Sequence, residues 1–237
     1  MPQTPQIVLL SQNRLLAAIP REELDRFASQ LEHVPLLFKE TLFEAGDRLD
    51  FVYFPLTGVI SMIASMENGN SVEVGMVGKE GVTDVSVVLG DDISCHRGTV
   101  QHAGSALKLS AAALREELHR DGELRSVLLR YIRFALAQAT QSAACNRLHS
   151  VDQRCARWLL GMRDRVGADT FPMTHEFLAY MLGVRRSGVT VAAQALQKAE
   201  LIRYARGQLT ILNGEGLEAG ACECYRVLKN QLARLLG

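Results

Sequence analysis

The chain has no apolar run approaching the roughly 18 residues of a membrane-spanning helix, and the stretch 7–10 near its start is far too short. It also lacks a basic segment followed by an apolar one at its start, which argues against secretion and for a cytoplasmic protein without a membrane partner. Net charge is missing too, because 26 Lys and Arg balance 26 Asp and Glu. There is no GxGxxG, the segment 75–79 lacks P-loop spacing, and His175-Glu176 fails as a zincin pattern because position 179 is Ala. Five cysteines stand at 95, 145, 155, 222 and 224, an odd number that argues against a disulfide framework. Cys222-Glu-Cys224 has neither a paired CxxC nor a Cys/His cluster to complete a tetrahedral zinc site. The thiols are therefore expected to be structural, with no metal and no cofactor. No nucleophile–base pairing recommends an enzyme, so no catalytic residue is assigned.

What is present is a 48% hydrophobic fraction over 237 residues, which excludes wholesale disorder and allows one large domain or two small ones. The charges are unevenly placed. Residues 1–150 carry 14 basic and 18 acidic side chains, whereas 151–237 carry 12 and 8, a mild basic excess suited to a polyanionic partner. Short stretches rich in β-branched and aromatic residues (51–54, 59–63, 71–76, 106–109) alternate with turn signals at 45–47, 67–70 and 90–92, which suggests an antiparallel barrel or sandwich. Along 71–76, Ser71, Glu73 and Gly75 alternate with Val72, Val74 and Met76, as in a half-buried strand. The texture turns helical at 110–119 and again over 121–148. There Leu129, Ile132, Leu136, Ala139 and Ala143 form a heptad-like seam beside a second stripe of Leu124, Leu128, Tyr131 and Ala135. One stripe can pack on the helix's own domain while the other meets a partner subunit. The pattern is equally open to both facing one core. Ser150 to Gln153 reads as a capping box opening a new helix, so the boundary is placed at His149–Ser150, without a flexible linker.

The segment 174–196, THEFLAYMLGVRRSGVTVAAQAL, is the most informative. Thr174 can cap a helix, Gly183 suits a tight corner, and a second helix follows over 185–199. Val189, Ala192, Ala193 and Leu196 share its inner face, while Arg186, Thr190, Gln194 and Lys198 share the other, where they can reach base edges or phosphates. Residues 201–212 then read as a hairpin, making a winged helix in which Arg203 and Arg206 approach the DNA backbone. A further amphipathic helix is expected over 213–237, packed on the winged helix or extending a dimer.

With FEAGD (43–47), VYFPLTGVIS (52–61), VGKEGV (77–82), the 174–196 motif and LIRYARGQLTIL (201–212), the chain resembles the Crp/Fnr transcription regulators over nearly its whole length. The resemblance implies an α+β fold. Its parts are an N-terminal antiparallel β-barrel of the cyclic-nucleotide-binding-like jelly-roll type (1–120), a long dimerisation helix (121–149), and a C-terminal winged helix-turn-helix with a further helix (150–237). It implies a homodimer reading a near-palindromic operator in double-stranded DNA, with RNA polymerase as a candidate partner. Arg186 matches the family arginine that reads a guanine, with Arg185 beside it. Ser187 stands where cyclic-AMP-binding members place a base-reading glutamate, and Val191 where they place a second arginine. The DNA-contacting set is thus Thr174, Arg185, Arg186, Ser187, Thr190, Val191, Gln194, Lys198, Arg203 and Arg206. The Gly-Glu pair that holds a cyclic nucleotide's ribose is absent from 78–90, so cyclic-AMP dependence is not expected. Glu80, Arg97 and Thr99 are the candidates for contacting some other small-molecule effector. No cysteine precedes position 95, so the N-terminal cluster of the iron–sulfur members is absent. The alternative function is a small-molecule or nucleotide sensor acting through protein partners.

Overall fold

The structure is a computed structural model that describes residues 8–235. Two short helices, α1 (Arg14–Ala17) and α2 (Arg21–Phe27), are parted around Pro20, which has no amide hydrogen to continue a helix. The sheet that follows is built on β3 (Phe51–Ser65) and β5 (Arg97–Ser110), which pair antiparallel over most of their length. β1 (Glu32–Leu36) lies on the far side of β5, β4 (Ser71–Val77) flanks β3, and β2 (Thr41–Phe43) also pairs with β5. The hydrogen-bonded path β1-β5-β3-β4 does not close on itself. The expected barrel is therefore an open antiparallel sheet, compatible with a jelly roll.

The expectation of many short strands is corrected. Residues 51–54 and 59–63 belong to one strand of 15 residues. Pro55 and Gly58 look like breaks in sequence, but the strand passes through them as bulges, with register shifts against β5 from Pro55 to Thr57 and from Thr57 to Val59. Gly58 has φ +82°, and a Cβ there would lie 2.6 Å from the His102 carbonyl oxygen, so this bulge requires glycine.

After β5 the chain is helical except for the wing. A four-residue turn, α3 (Ser86–Leu89), precedes β5, and α4 (Ala111–Leu118) follows it, capped by Ser110. The long helix α5 (Glu123–Leu148) then spans 26 residues. Its stripe of Leu124, Val127, Leu128, Tyr131 and Phe134 is buried in one core with Phe54, Val100 and Leu114. α6 (Val151–Val166) opens on the full capping box at Ser150 and Gln153. It leads to β6 (Thr170–Pro172), α7 (His175–Leu182), α8 (Arg186–Lys198), β7 (Ile202–Ala205) and β8 (Gln208–Ile211). The strands form a small sheet ordered β6-β8-β7, one strand more than the hairpin read from sequence. Trp158, Phe171, Leu178, Val189 and Leu209 share a second core.

The single helix expected over 213–237 is two, α9 (Gly214–Gly220) and α10 (Cys224–Leu235). α10 bridges both halves: Tyr225 belongs to the second core and Leu235 to the first. Among the described residues no helix is long and apolar enough to cross a membrane.

Candidate nucleic-acid interface

α7 starts where Thr174 Oγ1 accepts the Phe177 amide at 3.1 Å, satisfying one otherwise free donor of the first turn. It ends at Gly183, whose φ of +61° turns the chain sharply into α8. A Cβ on Gly183 would come within 2.9 Å of Val72 on β4, so the corner also sits tightly against the sheet. The buried Arg154 of α6 donates to the Leu182 carbonyl at this corner, bracing it from behind. Sequence reading missed that brace, because an arginine 28 residues upstream carries no local turn signal.

Val189, Ala192, Ala193 and Leu196 of α8 are buried, as their spacing implies. On the outer side Arg185, Arg186, Ser187, Gln194 and Lys198 are exposed, and Val191 is 64% exposed. Thr190 behaves differently. It is half-buried, donates to the Arg186 carbonyl at 3.0 Å, and therefore accepts from His175 Nδ1 at 3.1 Å. Burial, and then the Arg186 charge, hold His175 below its ordinary pKa, which fits a neutral ring carrying its proton on Nδ1. The same ring meets Tyr204 edge-on at 4.7 Å, and Gln197 Oε1 accepts the Tyr204 amide at 2.9 Å. Two helices and the wing are thereby fixed relative to one another. Arg203 and Arg206 are exposed on that wing, while Thr174 lies exposed at the start of α7. Among the described residues no carboxylate pairs with Arg185, Arg186, Lys198, Arg203 or Arg206, whereas two of the four arginines of α6 are paired, Arg163 with Asp169 and Arg165 with Glu80.

The effector candidates do not converge. Glu80 forms a buried ion pair with Arg165 of α6, Oε1 to Nε 2.7 Å. Arg97, the first residue of β5, pairs with Glu44 at 2.7 Å. Thr99 Oγ1 is buried without a hydrogen-bond partner. A cavity of about 300 Å³ does exist between the sheet, α5, α6 and α10, lined by Glu73, Glu80, Gln138, Arg157, Arg165 and Tyr225 among others. Arg97 and Thr99 are not in its wall. Glu73, read from sequence as the polar side of a half-buried strand, is roofed by α6. Its carboxylate accepts from Ser61 Oγ at 2.6 Å and Trp158 Nε1 at 2.7 Å.

The cysteine reading is corrected as well. Cys145, Cys222 and Cys224 are buried together, and His149 joins them, with all four ligand atoms within 4.8 Å of one another. A Cys/His cluster exists, but Cys145 and Cys222 stand 77 positions apart in sequence, which is why spacing rules did not find it.

Residues 153–219 match the model of the Crp-like helix-turn-helix domain. A search of the curated proteins found no match. Among solved structures, FixK2 from Bradyrhizobium japonicum superposes with a TM-score of 0.69 at 15% identity, over 81% of this chain and 98% of that one. CLP from Xanthomonas campestris, described as a c-di-GMP-responsive global regulator, gives 0.63 at 16% identity, over 81% and 99%. A CRP-family transcriptional regulator from Thermus thermophilus, TTHB099, gives 0.64 at 20% identity, over 79% and 96%. The chain thus carries a Crp-like helix-turn-helix domain at 153–219, within a fold similar to that of these regulators.

Proposed function

We propose that the protein is a homodimer that reads a near-palindromic operator through the exposed face of α8, without needing cyclic AMP. The observation that carries this reading is the group of five cations, Arg185, Arg186, Lys198, Arg203 and Arg206, left without carboxylate partners on α8 and the adjoining wing. Unpaired charges of one sign on a rigid, exposed surface suit a polyanion whose counterions they displace. Dimer symmetry sets two such helices about 34 Å apart, one turn of DNA. The seam for the second subunit is on α5, where Leu129 is 48% and Leu136 63% exposed while the neighbouring stripe is buried. Independence from cyclic AMP is supported by Glu80, which is engaged by Arg165 instead of facing a sugar. An effector, where one acts, has the cavity between sheet and helices as its place, because filling it would press on α5 and α6 together.

The test is binding of the purified protein to its own upstream DNA against a random duplex, at two salt concentrations, with and without cyclic nucleotides. Discrimination without added ligand is the expected result. Arg186→Ala should abolish that discrimination while circular dichroism stays unchanged. Arg203→Ala should weaken all duplexes alike and reduce the salt slope by about one. Discrimination that appears only with a cyclic nucleotide, or that survives in Arg186→Ala, overturns the corresponding part of the reading.

A further inference from the structure

The three buried thiols and the histidine meet where three segments converge. Cys145 lies on the last turn of α5, and His149 is its C-cap, one turn further on, with its amide donating to the Cys145 carbonyl at 3.1 Å. Four residues along a helix is the spacing that puts two side chains on one face. Cys222 and Cys224 arrive from the other direction, in the bend between α9 and α10 and at the first residue of α10. There the Tyr225 amide donates to the Cys222 carbonyl at 3.2 Å, holding both thiols inward.

The distances match those around a single ion. A tetrahedral zinc with its usual ligand lengths places two sulfurs about 3.8 Å apart and a sulfur about 3.6 Å from an imidazole nitrogen. In the structure Cys145 Sγ and Cys222 Sγ are 3.5 Å apart, and Cys224 Sγ is 3.6 Å from His149 Nδ1. All four donor atoms lie within 4.8 Å of one another, so side-chain shifts of about 1 Å draw them onto one centre. An iron–sulfur cluster would spread the same ligands over several metal atoms.

The outer groups fit too. His149 turns its other nitrogen, Nε2, to the Glu223 carboxylate at 3.2 Å, the arrangement that fixes a ligating imidazole's tautomer and orientation. Gln141 Nε2 donates to Cys224 Sγ at 3.0 Å, a bond suited to a thiolate. Three thiolates on a divalent ion leave one net negative charge, and Arg157 is a cation acting on Cys145.

We propose that Cys145, His149, Cys222 and Cys224 form a structural metal site for one tetrahedral, thiolate-preferring divalent ion of the zinc class. With no open position, such an ion holds rather than catalyses. It staples the start of α10 to the end of α5, immediately before the Ser150 cap of α6. The site is independent of the DNA-binding reading, and its test does not involve DNA.

The full chain, purified under reducing conditions without chelator, should contain about one zinc by mass spectrometry. After the metal is stripped, titration with cobalt(II) should give the intense visible bands of a four-coordinate ion and sulfur-to-cobalt charge transfer, saturating at one equivalent. Cys222→Ser should lose these bands, whereas Cys95→Ser, altering the exposed thiol elsewhere, should keep them. Because Cys222→Ser removes a buried group and can disturb folding, Glu223→Gln at an exposed side chain serves as the second variant. It should lower cobalt affinity about 10-fold with an unchanged circular dichroism spectrum. Cobalt bands that are absent from the wild-type chain, or that persist unchanged in Cys222→Ser, overturn the site. So does an unchanged affinity in Glu223→Gln, an iron chromophore, or a Cys145–Cys222 disulfide in place of metal.

Discussion

Glu73 is a carboxyl caught between the sheet and the helix-turn-helix half, and burial raises its pKa to about 7 despite hydrogen bonds from Ser61 and Trp158 that favour its charged form. The folded protein therefore keeps this proton to a higher pH than the unfolded chain, whose group titrates near 4.5. Stability from this group is full below about pH 4.5, declines as pH rises toward 7, and levels off above that. Unfolding in urea at pH 5, 6, 7 and 8 should show a loss of about 1–3 kcal/mol across that range, and Glu73→Gln should flatten it. An identical pH slope in the variant would remove Glu73 from the account. Alternation along one strand placed this residue on a polar face, and locally that was sound. The strand pattern cannot register that Trp158, 85 residues later, comes to cover it. The same limit applies at Thr190, whose place on the outer stripe of α8 was legible but whose hydroxyl is already committed to Arg186 and His175.

Helices were the legible elements. The capping box at Ser150, the Thr174 cap, the Gly183 corner and the buried spacing of Val189, Ala192, Ala193 and Leu196 depend on neighbours within a turn or two, and all appear in the structure. The strand at 71–76 and the hairpin within 201–212 were legible too, but the long strand β3 was not, because Pro55 and Gly58 carry the local marks of breaks while β5 supplies the pairing that carries β3 through them. The bend at 221–223 escaped for the opposite reason: the apolar residues on either side continue one amphipathic pattern across it. On α5 the two stripes were both visible and their destinations were not. Leu136→Asp tests the exposed one. It should leave the helical content intact, convert a dimer to a monomer in sedimentation, and lower affinity for a full operator at least 10-fold. A variant that remains dimeric would move the subunit interface elsewhere.

At the scale of the molecule, the Glu80–Arg165 pair is the clearest tie between the two halves, with side chains only 4% and 10% exposed. Removing one member leaves the other charged and buried, so Glu80→Gln should cost about 3–5 kcal/mol in urea unfolding. Pairing it with Arg165→Met should recover much of that loss, since no lone charge then remains. A loss below about 1 kcal/mol would mean that water reaches the pair. The sequence offers Glu80 to an effector because it stands in 78–90, near the place where cyclic-nucleotide binders hold the ribose. What it could not see is that the carboxylate's partner comes from the second half.

The placement of α10 also bears on how the chain is made. Leu235 completes a core whose other members lie almost entirely before residue 135, so the sheet and the long helix leave the ribosome with one wall missing. At roughly 5–20 residues per second, the hundred residues between Phe134 and Leu235 amount to on the order of 10 s of waiting. During that interval apolar side chains meant for α10 are open to chaperones, or to another nascent chain. Folding of this protein thus cannot proceed strictly one half at a time; its first-made half is finished by a segment synthesised after the winged helix.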